Sequence, residues 1–366
     1  MKLFALLLFA ATLNAAKTLD IYFIDVEAGS ATLIVTPAGQ SMLIDGGTPN
    51  MAGRNQKAIQ AAGLKSLDYE LVSHFHADHY GAVPGLAKEV PISTFIDHGT
   101  SVEYHKSEEW KKAHVLRFQD DLYDKYLEAL QGKKHLVVKA GDRLPLKGVN
   151  ATIVTASGKA IQKPVKGAGA KNQYCDDTPM LHESENEDSQ SVGTLVEYGK
   201  FRFIFLGDLT WNNGIRLVCP ANKVGPIDVF ETTHHAMHVD KENGGEVIAG
   251  YSACSRAEVW GMAPRVAILN YGPGWHRSDY FGWHGGPEGW DTVRKSPGLE
   301  TAWQMHYQPQ GGKEHNVPDE FIANLSPEKC AAHWLKLSAN EDGSFTITNT
   351  RTGETKQYTA RESAKK

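Results

Sequence analysis

The chain has 366 residues, of which 41% are hydrophobic and 22% are charged. This is the composition of an ordinary soluble globular protein, long enough for one large domain or two of average size. A formal net charge of −5 gives no general attraction for nucleic acid or anionic membranes, although a local basic groove for nucleic acid stays possible.

The first 16 residues have the pattern of a secretory signal peptide. Lys2 gives a basic tip, residues 3–11 form an apolar core, and small residues at 15–16 suit cleavage. The alternatives are a buried strand or a membrane anchor, but the apolar run is too short to span a bilayer. We expect a secreted or periplasmic protein with no transmembrane segment in the mature chain. Its net charge without Lys2 is 37 − 43 = −6.

The first half of the mature chain alternates strands and helices. Runs separated by Gly- and Pro-containing turns predict a three-stranded β-meander, which is followed by strand–helix–strand units typical of a layered α/β fold. The predicted strands are 19–26, 31–35, 41–44, 69–73, 92–96 and 151–155, and the predicted helices are 56–62, 80–86 and 108–130. His114, on the last helix, is predicted to be a solvated or packing residue.

A polar segment at 157–188 divides this half from the next and predicts a long surface loop near an active-site mouth. Strands then return at 192–198, 201–206, 227–233 and 266–270, and a hairpin pairs 334–338 with 344–349. The segment 271–290 reads as an aromatic loop that either packs or lines a substrate mouth, through Trp275, His276, Trp283 and His284. We expect one domain over 17–358 and a disordered tail over 359–366.

Four cysteines, Cys175, Cys219, Cys254 and Cys330, permit two disulfides or buried free thiols. The sequence does not choose between three possible pairings. Their wide spacing, with no CxxC pair, argues against a zinc site built from thiolates.

The most informative segment is His74-Phe75-His76-Ala77-Asp78-His79, with four potential metal ligands in six positions. Imidazoles and carboxylates are what Zn²⁺ prefers where thiolates are absent. His74 and His76 lie two apart on an extended backbone and face the same side, whereas Asp78 and His79 follow where the chain becomes helical. A His-rich surface loop is the alternative. The two pairs of ligands predict two metal ions.

Other acidic or His residues directly follow three further apolar strands: Asp45, Asp208 and the pair His234-His235. An Asp at the end of one strand is usually a turn or cap residue. Strands of a layered α/β protein end along one edge, however, and ligands bind there. The four features together therefore predict one metal site.

These motifs resemble those of the metallo-β-lactamase superfamily over roughly residues 19–350. The segment 74–79 matches its HxHxDH signature, residues 43–47 resemble its first motif, and residues 205–208 resemble the turn with its metal-bridging aspartate. Within the superfamily, the chain looks most similar to the extracellular hydrolase-like domain of the ComEC competence-protein group. Residues 25–31 and 228–238 correspond to that group's elements but depart from them at Glu27-Ala28, Ser30 and Ala236-Met237. The resemblance implies a four-layer αββα sandwich.

The resemblance also implies a set of ligands. His74 and His76 would hold one zinc, Asp78 and His79 the second, and Asp208 would bridge both. One of His234 and His235 would complete the second site; we favour His234, with His235 as a substrate-facing acid or hydrogen-bond donor. Asp45 would orient an imidazole through its other nitrogen. The superfamily's third-motif histidine has no clear counterpart. The ComEC-type group has an Asn/Ser-containing turn there, resembling residues 186–191, and His182 is a candidate substitute.

A pair of zinc ions lowers the pKa of a shared water from ~15.7 towards ~7 and so supplies hydroxide at neutral pH. Asp78 would position that water as well as bind metal. We therefore expect a metal-dependent hydrolase, most plausibly of a phosphodiester or other phosphate ester, with Mn²⁺ or Fe as alternatives to Zn²⁺. A β-lactam or lactone hydrolase is the second prediction, and a catalytically idle metal-binding envelope domain is the third.

Overall fold

The computed structural model describes residues 17–27, 29–107, 109, 119–183, 186–237, 252–272, 287–326 and 330–362. The signal-peptide segment, His114, and the residues Trp275, His276, Trp283 and His284 lie outside these ranges. None of the helices within them is long and apolar enough to cross a bilayer.

The first sheet is built from the two ends of the described chain. It runs in the order β18-β17-β16-β1-β2-β3-β4-β5-β6. The strands β1 to β3 pair antiparallel, as the predicted meander requires, and β3 to β6 are parallel. The strands are β1 (Leu19–Phe23), β2 (Thr32–Val35), β3 (Ser41–Ile44), β4 (Leu67–Leu71), β5 (Ile92–Asp97), β6 (Lys134–Val137), β16 (Leu335–Ala339), β17 (Phe345–Asn349) and β18 (Thr355–Tyr358).

The second sheet comes from the middle of the chain. Its order is β15-β14-β13-β12-β11-β10-β8-β7, with β9 paired to β8, and β11 to β15 are parallel. Its strands are β7 (Arg143–Leu144), β8 (Asn150–Ala156), β9 (Lys159–Ala160), β10 (Gly193–Tyr198), β11 (Phe201–Phe205), β12 (Val229–Glu231), β13 (Val266–Leu269), β14 (Thr301–His306) and β15 (Ile322–Asn324).

Helices cover the outer faces of both sheets. They are α1 (Ala52–Ala61), α2 (Ala77–Tyr80), α3 (Val83–Glu89), α4 (Asp120–Leu130), α5 (Trp211–Val218), α6 (Arg256–Met262) and α7 (Pro287–Arg294). The predicted strands and the helices before residue 131 are found with shifted ends. The predicted helix over 108–130 is described only as α4, while 110–118 lie outside the described ranges. The helices α5 to α7 and the strands β6, β7, β9, β14, β15 and β18 were not predicted.

Three apolar clusters separate four layers, because successive strand residues point to opposite faces. Ile21 of β1 packs between the two sheets with Phe203 of β11. Tyr22, the next residue, faces the helices α1, α3 and α4 in a second cluster. The third cluster joins the outer face of the second sheet to α5, α6 and α7. The chain therefore has the expected αββα sandwich.

The described part of the C-terminal segment contacts the second sheet, because the Arg361 guanidinium donates to Asp228 Oδ1 at 3.1 Å and to the Ala263 carbonyl at 2.9 Å. The structure also decides between the alternatives that the sequence left open for the cysteines. Of the four cysteines, Cys175 and Cys219 form a disulfide, and Cys254 and Cys330 are free thiols.

Candidate metal centre

The four strand-end features meet at one edge of the sandwich. The Asp45 backbone N–H donates to the Leu71 carbonyl at 2.9 Å, which holds the end of β3 against β4. The His234 N–H donates to the Gly207 carbonyl at 3.0 Å, which ties the turn after β12 to the turn after β11. Because neighbouring parallel strands end at the same edge of a sheet, residues that are distant in sequence lie close together there.

A first group of ligand atoms belongs to His74, His76 and Asp188, all buried. Asp188 Oδ1 lies 2.8 Å from His76 Nδ1 and 3.5 Å from His74 Nε2. Asp188 lies in a short 3₁₀ turn (Asp188–Gln190) before β10. Asp188 is thus the third member of the group that contains His74 and His76.

A second buried group contains Asp78, His79, Asp208 and His235. The His235 Nε2 atom lies 3.6 Å from Asp78 Oδ2 and 3.3 Å from His79 Nε2. All the ligand atoms of each group lie within 4.8 Å of one another.

The two carboxylate oxygens of Asp208 face different groups. Its Oδ1 atom lies 3.1 Å from His79 Nε2 and 3.4 Å from His235 Nε2. Its Oδ2 atom lies 3.3 Å from His234 Nε2 and 3.9 Å from His74 Nε2. Asp208 would therefore contribute to both groups if each held a cation.

The opposite nitrogens of the imidazoles are held by acceptors. His79 Nδ1 donates to Asp45 Oδ2 at 2.7 Å, and His235 Nδ1 to the Asn270 carbonyl at 3.3 Å. The Ser73 hydroxyl gives its single hydrogen to Asp45 at 2.7 Å, so it accepts from His74 Nδ1 at 3.0 Å. With Nδ1 protonated, each neutral ring keeps a lone pair on Nε2, and Nε2 lies towards Asp208. Metal-binding histidines usually have this arrangement, in which one ring nitrogen donates to an acceptor and the other binds the metal.

Glu187 fixes the loop that carries the first pair of histidines. One carboxylate oxygen accepts from the Phe75 N–H at 3.0 Å and from His98 Nε2 at 3.0 Å. The other accepts from the Ser101 hydroxyl at 2.5 Å and the Val102 N–H at 2.7 Å. Burial alone would raise the pKa of Glu187, but these donors outweigh it and lower the pKa to about 2. Glu187 is therefore an anion beneath the site.

The turns that aim the ligands use left-handed backbone. His234, His235 and Ala236 have φ values of 47°, 53° and 55°, and Asp45 has a φ of 57°. Non-glycine residues adopt this conformation at a cost of about 1–3 kcal/mol each, and such strain concentrates at functional sites. The run of three is held by hydrogen bonds at both ends, including Met237 N–H to the His234 carbonyl at 2.7 Å.

The charges of the site are strongly coupled. Burial opposes ionisation of His235, but Asp208 and Asp78 overcome it and raise its pKa to about 9. Burial also opposes ionisation of His79, but the carboxylates of Asp208 and Asp78 outweigh it and raise the pKa of His79 well above its usual value. Burial and the neighbouring imidazoles hold the pKa of His74 well below its usual value. In the absence of a cation, protons on His79 and His235 therefore compensate the negative charge of the carboxylates. A bound cation would compensate the same charge.

The residues present fit a pair of divalent ions. The described site offers imidazoles and carboxylates, the ligands expected for zinc, iron or manganese. Within the described ranges, His74 Nε2 is buried and makes no hydrogen bond, and it lies 3.5 Å from Asp188 Oδ1. Unsatisfied buried polar atoms are rare in proteins, and a cation bound by His74 Nε2 would satisfy it.

The structure changes two of the expected assignments. His235, rather than the favoured His234, lies with Asp78 and His79, while His234 lies with Asp188 and Asp208. Because both residues adopt left-handed backbone, strand alternation could not decide which ring faces which group. His182 is exposed and belongs to none of the ligand groups in the described ranges, where Asp188 takes its proposed place.

Sequence reasoning missed Asp188, Glu187 and Glu103, whose Oε2 lies 3.5 Å from His76 Nε2. The available signal is the turn at 186–191, which resembles the corresponding turn of the ComEC-type group. Its acidic residues lie at the end of the polar segment that predicts a surface loop. In the structure, both Glu187 and Asp188 are buried.

Comparison with known proteins agrees with this architecture. The family model described as Metallo-beta-lactamase superfamily matches residues 24–154, which include Asp45 and the 74–79 segment. The matched residues make up about a third of the chain, and the αββα sandwich agrees with the match. No curated protein matches.

Solved structures with similar folds include a metallo-β-lactamase HARLDQ-motif mutant from Cronobacter sakazakii, at 15% identity and a TM-score of 0.34. The match covers 57% of this chain and 75% of that one. MEM-A1, a subclass B3 metallo-β-lactamase from a soil metagenome library, is 18% identical, with coverages of 52% and 61% and a TM-score of 0.33. CmlA, a diiron β-hydroxylase from Streptomyces venezuelae, is 12% identical, with coverages of 68% and 44% and a TM-score of 0.40. The chain thus spans less than two thirds of the last two proteins.

Proposed function

We propose that the chain is an exported hydrolase with a dinuclear metal centre, zinc by preference, that acts on a phosphodiester or other phosphate ester. The observation that carries the proposal is the position of Asp208. Its two oxygens face separate groups of imidazoles at 3.1–3.9 Å, so one carboxylate can join two cation sites.

The proposed ligands of the first ion are His74, His76 and Asp188, with His234 beside them. Those of the second ion are Asp78, His79 and His235, and Asp208 serves both. A dinuclear centre supplies hydroxide at neutral pH and stabilises the charge that develops on the reacting ester. Asp78 would also position the attacking water. Asp45 and Ser73 hold His74 and His79 in the tautomers that leave Nε2 free to bind.

The choice of a phosphate ester is supported by the resemblance of residues 25–31 and 186–191 to the ComEC-type group. The charge balance of the site does not contribute to this choice. Asp78, Asp188 and Asp208 contribute three negative charges and a metal-bound hydroxide a fourth, which equal the four positive charges of two divalent ions.

The proposal of export rests on the signal-peptide pattern at 1–16 and is supported by the Cys175–Cys219 disulfide. Disulfides persist in the periplasm and outside the cell and are rare in the cytosol. Two alternatives from the sequence remain to be tested: a β-lactam or lactone hydrolase, and a metal-binding envelope domain without turnover.

The decisive experiment combines metal analysis with an activity panel on purified residues 17–366. The panel contains bis-p-nitrophenyl phosphate, p-nitrophenyl phosphate, nitrocefin, a lactone and single-stranded DNA. We expect at least two metal ions per chain, with turnover of the phosphate diester or monoester. Asp208→Asn should lower both metal content and turnover, because it weakens the shared ligand.

Asp142→Asn is the matched control, since Asp142 only accepts from the Lys139 N–H in a turn at 2.9 Å. It should match the native protein in both readouts. Fewer than one metal ion per chain would contradict a dinuclear centre. Turnover of nitrocefin alone would replace the phosphate ester with a β-lactam, and metal binding without turnover of any substrate would favour the envelope domain.

A further inference from the structure

A second cluster of potential ligands lies apart from the dinuclear centre and shares no residue with it. Asp25, His306 and Cys330 place one ligand atom each within 4.8 Å of the others. Asp25 follows β1 in the first sheet, His306 is the last residue of β14 in the second, and Cys330 lies between β15 and β16. The cluster therefore connects the two sheets.

His306 is poised as a metal ligand. Its Nδ1–H donates to the Tyr307 carbonyl at 3.1 Å, which leaves the lone pair on Nε2. The side chain is fully buried, and Nε2 has no hydrogen-bond partner in the described part of the chain. A metal-binding histidine usually donates one ring N–H to an acceptor such as a carbonyl and uses the lone pair of the other ring nitrogen for the metal.

The other two residues complement it. The Cys330 thiol donates to Asp25 Oδ2 at 3.1 Å, and Asp25 Oδ1 is occupied by the Glu27 N–H at 2.8 Å. Arg54 lies 3.5 Å from Asp25 Oδ2 and also pairs with Glu27. A thiolate and a carboxylate together neutralise a divalent ion, and Glu27 remains to balance Arg54.

The surrounding structure fixes the geometry. The Asn324 amide donates to the Met305 carbonyl at 3.2 Å and the His333 carbonyl at 2.9 Å. It also accepts from the His333 N–H at 3.0 Å. These bonds hold the segment that contains Cys330 against the end of β14.

We propose that Asp25, His306 Nε2 and Cys330 bind one divalent transition metal, Zn²⁺ by ligand type, in a site that joins the two sheets. The sequence argued against a site made of thiolates, because four distant cysteines show no pairing. It could not reveal a mixed site with a single thiolate. Three protein ligands leave a fourth tetrahedral position for water.

Binding must release the thiol proton. The Cys330 thiol carries a proton in its hydrogen bond to Asp25 Oδ2, whereas only a thiolate binds metal. The metal and the proton compete for sulfur, and apparent affinity should rise with pH.

Cobalt substitution tests the site independently of activity. Metal-free protein (residues 17–366) is titrated with Co²⁺ while its absorbance is recorded. A thiolate–cobalt bond gives a charge-transfer band that nitrogen and oxygen ligands do not give. The dinuclear centre has no sulfur ligand, and the Cys175–Cys219 disulfide has no free thiol, so we expect this band from Cys330 alone.

The band should disappear in Cys330→Ser and persist in Cys254→Ser, the matched control at the other free thiol. Cys330→Ser should also bind one ion fewer per chain. The band should survive in Asp208→Asn, so failure of the dinuclear centre is distinguishable from failure of this site. If Cys330→Ser does not fold, His306→Gln should weaken the band. A native protein saturated with Co²⁺ but lacking the band would overturn the proposal, as would a band lost only in Cys254→Ser.

Discussion

The carboxylate of Asp45 lies 2.7 Å from Nδ1 of His79 and fixes the orientation of that ring. The same carboxylate accepts from both the backbone N–H and the hydroxyl of Ser73 at 2.7 Å, and the hydroxyl in turn meets His74 Nδ1. One buried anion thus orients a ligand of each proposed metal ion.

Asp45→Asn should therefore weaken metal binding without removing a ligand. Loss of a carboxylate that orients a ligating imidazole typically costs about 10–100-fold in metal affinity. Competition with a chromophoric chelator measures it. Asp68→Asn is the control, because Asp68 accepts similarly from Ser41 N–H at 2.8 Å at the opposite end of β3. Equal affinities for the two variants would contradict the role of Asp45.

Asp188→Ala and His182→Ala separate the structural assignment of the first site from the sequence-based one. Asp188→Ala should lose about one metal ion per chain, because it removes the carboxylate that meets both His74 and His76. His182→Ala should keep the native metal content, since His182 is exposed. Elemental analysis after gel filtration checks both. The reverse result would restore His182 as the ligand.

Gly29 and Gly39 provide a matched pair in backbone conformation. Both have positive φ, of 87° and 81°. A Cβ on Gly29 would lie 1.5 Å from the Asp78 carbonyl oxygen, whereas a Cβ on Gly39 meets nothing within 4 Å. Gly39→Ala should cost about 1 kcal/mol through its backbone alone. Gly29→Ala should cost more and lower metal affinity, which thermal unfolding and chelator competition would show. Similar losses in both variants would contradict the close contact with Asp78.

Glu187→Gln should destabilise the protein and loosen the first site. The neutral amide replaces an anion that accepts four hydrogen bonds, and losing bonds to a charged group costs about 1.5–3 kcal/mol each. We expect a lower free energy of unfolding in urea and weaker binding of one metal ion. Glu197→Gln, at the partly exposed pair with Arg202, should change stability by less than about 1 kcal/mol. An unchanged urea midpoint for Glu187→Gln would exclude its anchoring role.

Glu231 gives a pH-dependent term in stability. Burial, only partly opposed by hydrogen bonds from Thr32 and Ser30, raises its pKa from 4.5 to about 7. Between these values the folded protein holds a proton that the unfolded chain has lost. The stabilisation that comes from the protonated Glu231 is therefore fully present below pH 4.5 and is lost as the pH rises through about 7. Over this range the free energy of unfolding falls by up to about 1.4 kcal/mol per pH unit.

Glu231→Gln should flatten this decline in metal-free protein, because its side chain does not ionise. Denaturation at several pH values from 5 to 8, with chelator in every sample, gives the comparison. The metal-binding groups titrate alike in both proteins, so the difference isolates Glu231. Parallel stability profiles would show that Glu231 does not titrate in this range.

The parts that the sequence predicted well are those governed by local patterns. Alternation identified β1 to β5, and the 74–79 segment indicated a metal site, because its ligand types and spacing act within one stretch of chain. The sequence also placed Asp45 and Asp208 at strand ends. The helices α5 to α7 and the strands β6, β7, β9, β14, β15 and β18 were not recognised, and the boundaries of the others shifted by a few residues.

The sequence by itself determined the class of chemistry: imidazoles and carboxylates on a layered α/β scaffold, at the ends of strands. Only the tertiary structure decided which atoms meet. Asp188 reaches His76 from a segment over 100 residues away, His235 rather than His234 turns towards Asp78, and His306 and Cys330 reach Asp25 from the far end of the chain. The reason is physical, since sheet pairing and left-handed turns set these distances and neither leaves a periodic trace in the sequence.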